Sequence, residues 1–182
     1  MAQFDPRELP PMPYRVLFLG RFNATRSIFA EAILERLSEG RFMVASAGST
    51  PCADVDPLAH ALLARRGHDL THLACKAPNI AQEQLGDVDV VISLCPLAQG
   101  QAQAIWGSQP IHTHWAVQDP STCRACPADL IVAYAEAYRT LYNRIEALVS
   151  LNWQRLSRVE LTMHLRAIGG ISSAEVDKSV AA

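Results

Sequence analysis

The sequence predicts a single α/β domain built on an open four-stranded parallel sheet with helices on both faces. From Tyr14 onward, short apolar runs alternate with segments of helical periodicity, an order typical of βαβ units. The chain has 182 residues, 49% of them hydrophobic, which is enough for one core of ordinary size. The formal net charge is −2 and no basic face is evident, so we expect no nucleic-acid partner.

Four short runs are the strand candidates, and the first three are largely apolar as buried parallel strands are. They are residues 15–19, 42–45, 88–94 and 111–114. Ligands bind at the carboxyl ends of the strands in such sheets. We therefore expect the loop after the first strand and the segment after the fourth to share one rim.

Helical periodicity appears in three segments that follow the second strand candidate. One segment opens at Asp56-Pro57 and ends near Gly67, and a long one covers residues 130–151 with apolar residues near helical spacing. Packing explains that stripe fully. Residues 153–168 favour an additional helix, which either covers the domain or pairs with a second copy of the chain in a homodimer.

The chain divides into four stretches. Residues 1–13 contain four prolines and are expected to form an extended arm; residues 14–151 form the domain, residues 152–169 the additional helix, and residues 170–182 a disordered tail. No apolar run is long enough to span a bilayer, and the first residues lack the apolar core of a secretory signal. We expect no membrane contact and a cytoplasmic location.

The loop from Gly20 to Ser27 is the most informative part of the chain. It joins the first strand to a helix, and such a junction directs backbone N–H groups and the positive end of the helix dipole at one point. Arg26 adds a permanently charged, bidentate donor suited to an oxyanion. We expect Arg15 and Arg21 to cluster with it, which suits a small anion such as phosphate, sulfate or arsenate.

With these residues the chain resembles the low-molecular-weight protein tyrosine phosphatases and the thioredoxin-coupled arsenate reductases that share their fold. Members of the family carry Cys-x5-Arg-Ser after the first strand, with Gly two residues beyond the Cys. Asn23, Arg26 and Ser27 stand at matching positions. Gly20 stands where the family has its nucleophilic Cys, and Phe22 stands where it has Gly.

The resemblance extends over roughly residues 14–150. The run Ser46-Ala47-Gly48-Ser49 resembles a turn of the family, and His114-Trp115 followed by Asp119-Pro120 resembles the arsenate reductase branch. The resemblance implies that Asp119 occupies the position of the general acid. Taken from the residues alone, Asp119 before Pro120 also suits a turn, but the order of the motifs favours the family position.

The resemblance implies an oxyanion site on Asn23, Thr25, Arg26 and Ser27, with Arg26 and Asp119 in catalytic positions. Because glycine has no side chain, covalent catalysis from position 20 is impossible. We expect a catalytically silent protein that binds a small oxyanion or a protein partner as a binding or regulatory module. The alternative is an active phosphatase or arsenate reductase that uses a displaced cysteine.

Phe22 bears on the same loop. A bulky residue resists the backbone torsions that glycine allows. Phe22 is therefore expected either to distort the anion-binding loop or to place its ring over it.

Five cysteines, an odd number, do not indicate a disulfide framework. Arsenate reductases use additional cysteines to pass oxidation away from the nucleophile, and Cys95 stands at one such position. The expected partner downstream is missing, since Ala102 and Gln103 occupy that region. Cys95 is either a redox residue of an incomplete relay or simply a buried thiol.

Cys123 and Cys126 form a Cys-x-x-Cys pair just ahead of Pro127, which suits the first turn of a helix. A thiol at a helix N-terminus has a lowered pKa and raised reactivity. We rank a reduced pair first, a redox pair second, and a zinc site with His112 and His114 third. No metal and no cofactor are therefore expected.

Overall fold

The computed structural model describes residues 13–123 and 126–171. Four parallel strands form one sheet in the order β2-β1-β3-β4. Their bounds are β1 Tyr14–Gly20, β2 Phe42–Gly48, β3 Val90–Ser93 and β4 Ile111–His114. The predicted fold class is confirmed, and the expected arm and tail lie largely outside the described residues.

Six helices surround the sheet within the described residues. They are α1 Arg26–Ser38, α2 Pro57–Arg65, α3 Pro78–Leu85, α4 Pro96–Trp106, α5 Pro127–Ser150 and α6 Arg158–Gly169, with a short 3₁₀ turn at Pro120–Thr122. The helices α3 and α4 had no counterpart in the sequence prediction. Each begins with proline in its first turn, a position where the missing N–H costs nothing.

The central strand β1 is buried on both faces, and its side chains alternate between two cores. Val16 and Phe18 pack into the larger core with α1, α2, α5 and α6. Leu17 and Leu19 pack into the smaller core with α3 and α4. This alternation explains why the strand is a continuous apolar run in the sequence.

The helix predicted from Trp153 begins later, at Arg158. Ser157 caps it, because the Ser157 hydroxyl and the Glu160 carboxylate satisfy each other's backbone amides in a capping box. Trp153 is instead buried against the aromatic rings of Tyr14 and Phe42, with ring centroids 4.8 and 5.0 Å away. In the described part of the chain, no helix has the length and apolar character needed to cross a membrane.

The expectation that Arg15 joins the anion-binding loop is wrong. Arg15 lies near the start of β1, about 16 Å from the loop at the strand's other end. Its guanidinium donates to the carbonyl of Asp87 (3.2 Å), and its amide donates to the Asp89 carboxylate (2.8 Å). Arg15 and Gly20 lie five positions apart on an extended strand, so closeness in sequence does not bring the two together.

Candidate oxyanion-binding site

A small cavity lies where β1 ends and α1 begins. Its volume is about 170 Å³, suited to a small anion rather than to a polymer. The residues that line it are those of the loop, 20–27, together with Cys52, Asp56, Asp119 and Ser121. The loop predicted from the sequence therefore forms the wall of a cavity.

The carbonyl oxygens of this loop are all occupied by donors outside it. The carbonyls of Gly20, Arg21 and Phe22 accept hydrogen bonds from the amides of Ser49, Thr50 and Cys52. The carbonyls of Asn23, Ala24 and Thr25 accept from the Cys75 thiol and from the amides of Asp56 and Phe29, and all six distances lie between 2.8 and 3.1 Å. In a trans peptide the N–H points opposite to the carbonyl, and the described chain has no cis peptide bond. The amides of residues 21–26 therefore point away from these donors, which is the arrangement of an anion-binding nest.

Asn23 holds the loop in this conformation. Its backbone is left-handed, with φ of 54°, a region that Asn tolerates better than most residues. The buried side chain donates to the hydroxyls of Ser27 (3.0 Å) and Ser46 (2.7 Å), and its Oδ1 accepts from the amide of Lys76 (2.7 Å). Asn23 thus braces the loop from inside, and its side-chain polar atoms are engaged within the protein instead of being free to bind an anion.

A buried ion pair supports these contacts from below. The ammonium of Lys76 lies 2.6 Å from the carboxylate of Glu31, which also accepts from the Ser46 hydroxyl at 2.5 Å. Burial raises the pKa of Glu31, although the Lys76 ammonium opposes that rise. The pair was not predicted from sequence, because Glu31 lies on a helix and Lys76 in a loop 45 residues away.

Arg26 and Asp119 meet at the mouth of the cavity. Nη2 of Arg26 lies 2.6 Å from Oδ2 of Asp119, and Nη1 donates to the Val117 carbonyl at 2.9 Å. The other carboxylate oxygen of Asp119 accepts from the amide and hydroxyl of Ser121. Asp119 therefore forms the turn expected ahead of Pro120 and also contacts the loop arginine.

Two further residues were not predicted from the sequence as part of the site: Asp56, which lines the cavity, and Tyr134, which is hydrogen-bonded to Asp56. Asp56 caps α2 through the amides of Leu58 and Ala59, and its second oxygen accepts from the Tyr134 hydroxyl at 2.7 Å. Burial, with the Asp56 carboxylate as a further cause, raises the pKa of Tyr134. The only sequence signal for this pair is the Asp-Pro capping pattern, since Tyr134 belongs to a stripe that packing explains.

Phe22 does not distort the loop. The Phe22 carbonyl accepts a hydrogen bond from the Cys52 amide, as the other loop carbonyls do from their own donors. The φ of Phe22 is not positive, since Asn23 and Glu39 are the described non-glycine residues with a positive φ. The ring is partly exposed and stacks with the guanidinium of Arg21 at 4.6 Å. Arg21 is thereby drawn to the rim.

The glycines at the ends of β1 and β2 have different surroundings. A Cβ on Gly20 would lie 3.0 Å from the Ser27 hydroxyl, at the end of a short side chain. A Cβ on Gly48 would lie 2.8 Å from backbone atoms of Phe22 and Asn23. Position 20 thus accepts a small side chain only if the Ser27 side chain shifts slightly, whereas position 48 must be glycine for the loop to approach β2.

The cysteines singled out in the sequence lie away from the cavity lining. Cys95 is buried, at the start of α4 in the smaller core. Cys126 begins α5 and its thiol donates to Asp129 at 3.2 Å, while Cys123 follows the 3₁₀ turn. All three are free thiols. The cysteine that does line the cavity is Cys52.

The histidines considered as zinc ligands have other contacts. His112 bonds the Gly107 carbonyl at 2.7 Å and His114 bonds the Ser93 hydroxyl at 3.0 Å. Burial lowers the pKa of His114. Across the ranges 13–123 and 126–171, no group of three or more His, Cys, Asp or Glu side chains could hold a metal ion.

Comparison with known proteins adds a family match to this geometry. Residues 15–159 match the family model described as low molecular weight phosphotyrosine protein phosphatase. The chain is 31% identical over 106 residues to a glutaredoxin arsenate reductase from Synechocystis sp., which covers 58% of this chain and 78% of the relative.

Solved structures that resemble this chain are consistent with the family match. An arsenate reductase in its oxidised state superimposes with a TM-score of 0.60 at 26% identity, covering 75% of this chain and 96% of the other. A low molecular weight protein tyrosine phosphatase from T. tengcongensis gives a TM-score of 0.60 at 19% identity, covering 75% and 97%. The second likeness bears on the fold alone.

Proposed function

The chain belongs to the low molecular weight phosphotyrosine protein phosphatase family, and we propose that it is a member that binds a small oxyanion without turning it over. Its role would be that of a binding or regulatory module in the cytoplasm. One observation carries the proposal. The loop after β1 keeps its carbonyls turned outward and its arginine at the cavity, while its first position is Gly20.

The anion is expected to lie among the amides of residues 21–26. Three sources of positive potential converge there: these N–H groups, the N-terminus of α1, and the guanidinium of Arg26. Among similar structures is an arsenate reductase in its phosphate-binding state, at 26% identity and a TM-score of 0.58. Phosphate, sulfate and arsenate share the tetrahedral shape and charge that this site recognises.

The absence of turnover follows from the chemistry of position 20. Family members form a covalent intermediate through a thiolate at the loop's first position, and glycine offers no atom for that bond. Thr25 and Ser27 do not replace it. Ser27 is buried and accepts from Asn23, and the Thr25 side chain is buried at the start of α1.

Inorganic phosphate is the direct probe. Binding to the native state raises the melting temperature by mass action, so we expect a concentration-dependent rise for the unmodified protein and none for Arg26→Ala. Arg166→Ala, an exposed arginine of α6 that does not line the loop cavity, is the matched control and should behave like the unmodified protein. An equal rise in all three proteins would remove Arg26 from the site.

An active enzyme with a displaced cysteine is the second candidate, and the observation in its favour is that Cys52 lines the cavity. Turnover of an aryl phosphate, or of arsenate with a thiol reductant, distinguishes the two. We expect none from the unmodified protein. Turnover that is lost in Cys52→Ser but kept in Cys95→Ser would establish the second candidate and contradict the first.

A further inference from the structure

Cys52 and Cys75 hold adjacent carbonyls of the anion-binding loop. Cys52, in the segment after β2, donates its amide to the carbonyl of Phe22 at 2.9 Å. Cys75, in the segment ahead of α3, donates its thiol to the carbonyl of Asn23 at 3.1 Å. The two acceptors are consecutive in the chain, and Cys52 lies near enough to act electrostatically on the Cys75 thiol, so the two cysteines are neighbours at the loop.

The two thiols differ in their access to solvent. Cys52 is exposed at the cavity, whereas Cys75 is half-buried. Burial, and next the nearby Cys52, raise the pKa of Cys75 to about 11. Cys75 is therefore a neutral thiol near pH 7, as its hydrogen bond to Asn23 requires, and Cys52 is the sulfur that a small oxidant reaches first.

We propose that Cys52 and Cys75 form a reversible disulfide that weakens anion binding by the loop. The effect on binding rests on the oxyanion site proposed above, while formation of the disulfide does not. The oxidant is a low-molecular-weight disulfide such as oxidised glutathione. The Cys52 thiolate attacks one of its sulfurs, the S–S bond breaks, and one glutathione thiolate leaves.

The second step closes the protein disulfide. The Cys75 thiol loses its proton and attacks the Cys52 sulfur of the mixed disulfide, and the second glutathione leaves as a thiolate that takes up a proton. The two cysteines lose two electrons and the glutathione disulfide gains them. A dithiol reductant reverses both steps.

Oxidation changes the loop because Cys75 can no longer donate to Asn23. The Asn23 carbonyl then has no hydrogen-bond donor. Asn23 is the loop residue with a left-handed backbone, so it depends most on such external support. Loss of one hydrogen bond corresponds to about a 2- to 10-fold change in an equilibrium constant. We expect phosphate to bind weaker by about that factor in the oxidised protein.

Peptide mapping tests the disulfide. The full chain is treated with oxidised glutathione, free thiols are alkylated, and the protein is digested with trypsin without reduction. Arg65 and Arg66 separate the two cysteines, so the linkage joins two different peptides. We expect that cross-linked pair. Recovery of Cys52 and Cys75 as alkylated thiols, or linked to other cysteines, would overturn the proposal.

Phosphate titration of the same samples tests the effect. We expect weaker binding after oxidation of the unmodified protein and of Cys123→Ser, with recovery on reduction. Cys52→Ser keeps Cys75 as a donor, so its binding should not respond to oxidant. Unchanged phosphate binding in a protein shown to carry the disulfide would overturn the proposed effect of the disulfide on the loop. If even the reduced protein ignores phosphate, the oxyanion site fails while the peptide map still decides the disulfide.

Discussion

The Arg26 guanidinium lies 2.6 Å from the Asp119 carboxylate at the mouth of the loop cavity. Both side chains are largely shielded from water, with 12% and 24% of their surface exposed, so the pair is not an ordinary surface contact. Without an anion, Asp119 and Val117 together hold the Arg26 side chain. An incoming oxyanion must compete with Asp119 for the guanidinium.

Asp119→Asn should therefore bind phosphate about tenfold tighter, equivalent to about 1.4 kcal/mol. The variant removes a negative charge beside the anion and a competitor for Arg26, while the amide still accepts a hydrogen bond. Isothermal titration with phosphate measures the change. Glu83→Gln, which removes a charge from the exposed surface of α3, should leave the affinity unchanged. Weaker binding by Asp119→Asn would show instead that Asp119 positions Arg26 for the anion.

Gly48→Ala should disrupt the loop. The new methyl carbon would lie 2.8 Å from the Asn23 amide nitrogen and 2.9 Å from the Arg21 carbonyl oxygen, so backbone must move. We expect a loss of about 1–3 kcal/mol in the free energy of unfolding and loss of the phosphate response.

Gly100→Ala provides the matched control for that substitution. Gly100 lies within α4 and its Cβ would meet nothing within 4 Å, so alanine should stabilise the helix by about 0.5–1 kcal/mol. Denaturant titration compares the two variants. A Gly48→Ala protein as stable and as responsive as Gly100→Ala would contradict the close approach of the loop to β2.

Lys76→Met tests the buried support of Asn23. It leaves the Glu31 carboxylate buried without its partner, and breaking a buried pair in this way costs about 3–5 kcal/mol. Because burial raises the pKa of Glu31, the stability that the group contributes is present at low pH and lost as pH rises through its folded pKa. Without Lys76 the pKa rises further. The deficit of the variant should therefore shrink as the pH is lowered.

Urea unfolding at several pH values measures this dependence. Lys76→Met with Glu31→Gln removes the charge altogether, so its deficit should be smaller and should not shrink on acidification. A deficit of Lys76→Met that is independent of pH would mean that Glu31 is not the group responsible.

Whether a contact could be predicted from the sequence depends on how many positions separate its two residues along the chain. The run ending at Leu19 and the position of Arg26 at the start of a helix are local patterns, and both appear in the structure. Cys75 and Asn23 are 52 positions apart, and Tyr134 and Asp56 are 78 apart. Such contacts depend on how distant segments pack, which periodicity does not encode.

The helices α3 and α4 escaped prediction for a different reason. Each buries few residues, Ala81 and Leu85 in one and Ala98 and Ala102 in the other. Small alanine side chains leave a weak apolar stripe, and the glutamines among them dilute it further. Helices that cover a sheet with so little apolar surface resemble polar connections in the sequence.

Restoring the nucleophile tests whether the rest of the site is still competent. Gly20→Cys places a Cβ 3.0 Å from the Ser27 hydroxyl and 3.9 Å from the Asn23 amide nitrogen, so the serine must shift by a few tenths of an ångström. The new thiol would lie at the N-terminus of α1 beside Arg26, surroundings that lower a thiol pKa. We expect measurable hydrolysis of an aryl phosphate by Gly20→Cys, and more by Gly20→Cys with Phe22→Gly if the ring hinders substrate entry.

The role of Asp119 is tested in the same background. A positioned acid that protonates the leaving oxygen contributes about 10²–10⁴-fold, so adding Asp119→Asn should reduce the recovered rate by that factor even though the ground-state anion binds tighter. A lower kcat with a lower KM would separate the two effects, because the amide relieves competition for Arg26 and cannot donate the proton. A folded Gly20→Cys protein that binds phosphate but has no activity would show that the divergence from an active enzyme reaches beyond position 20.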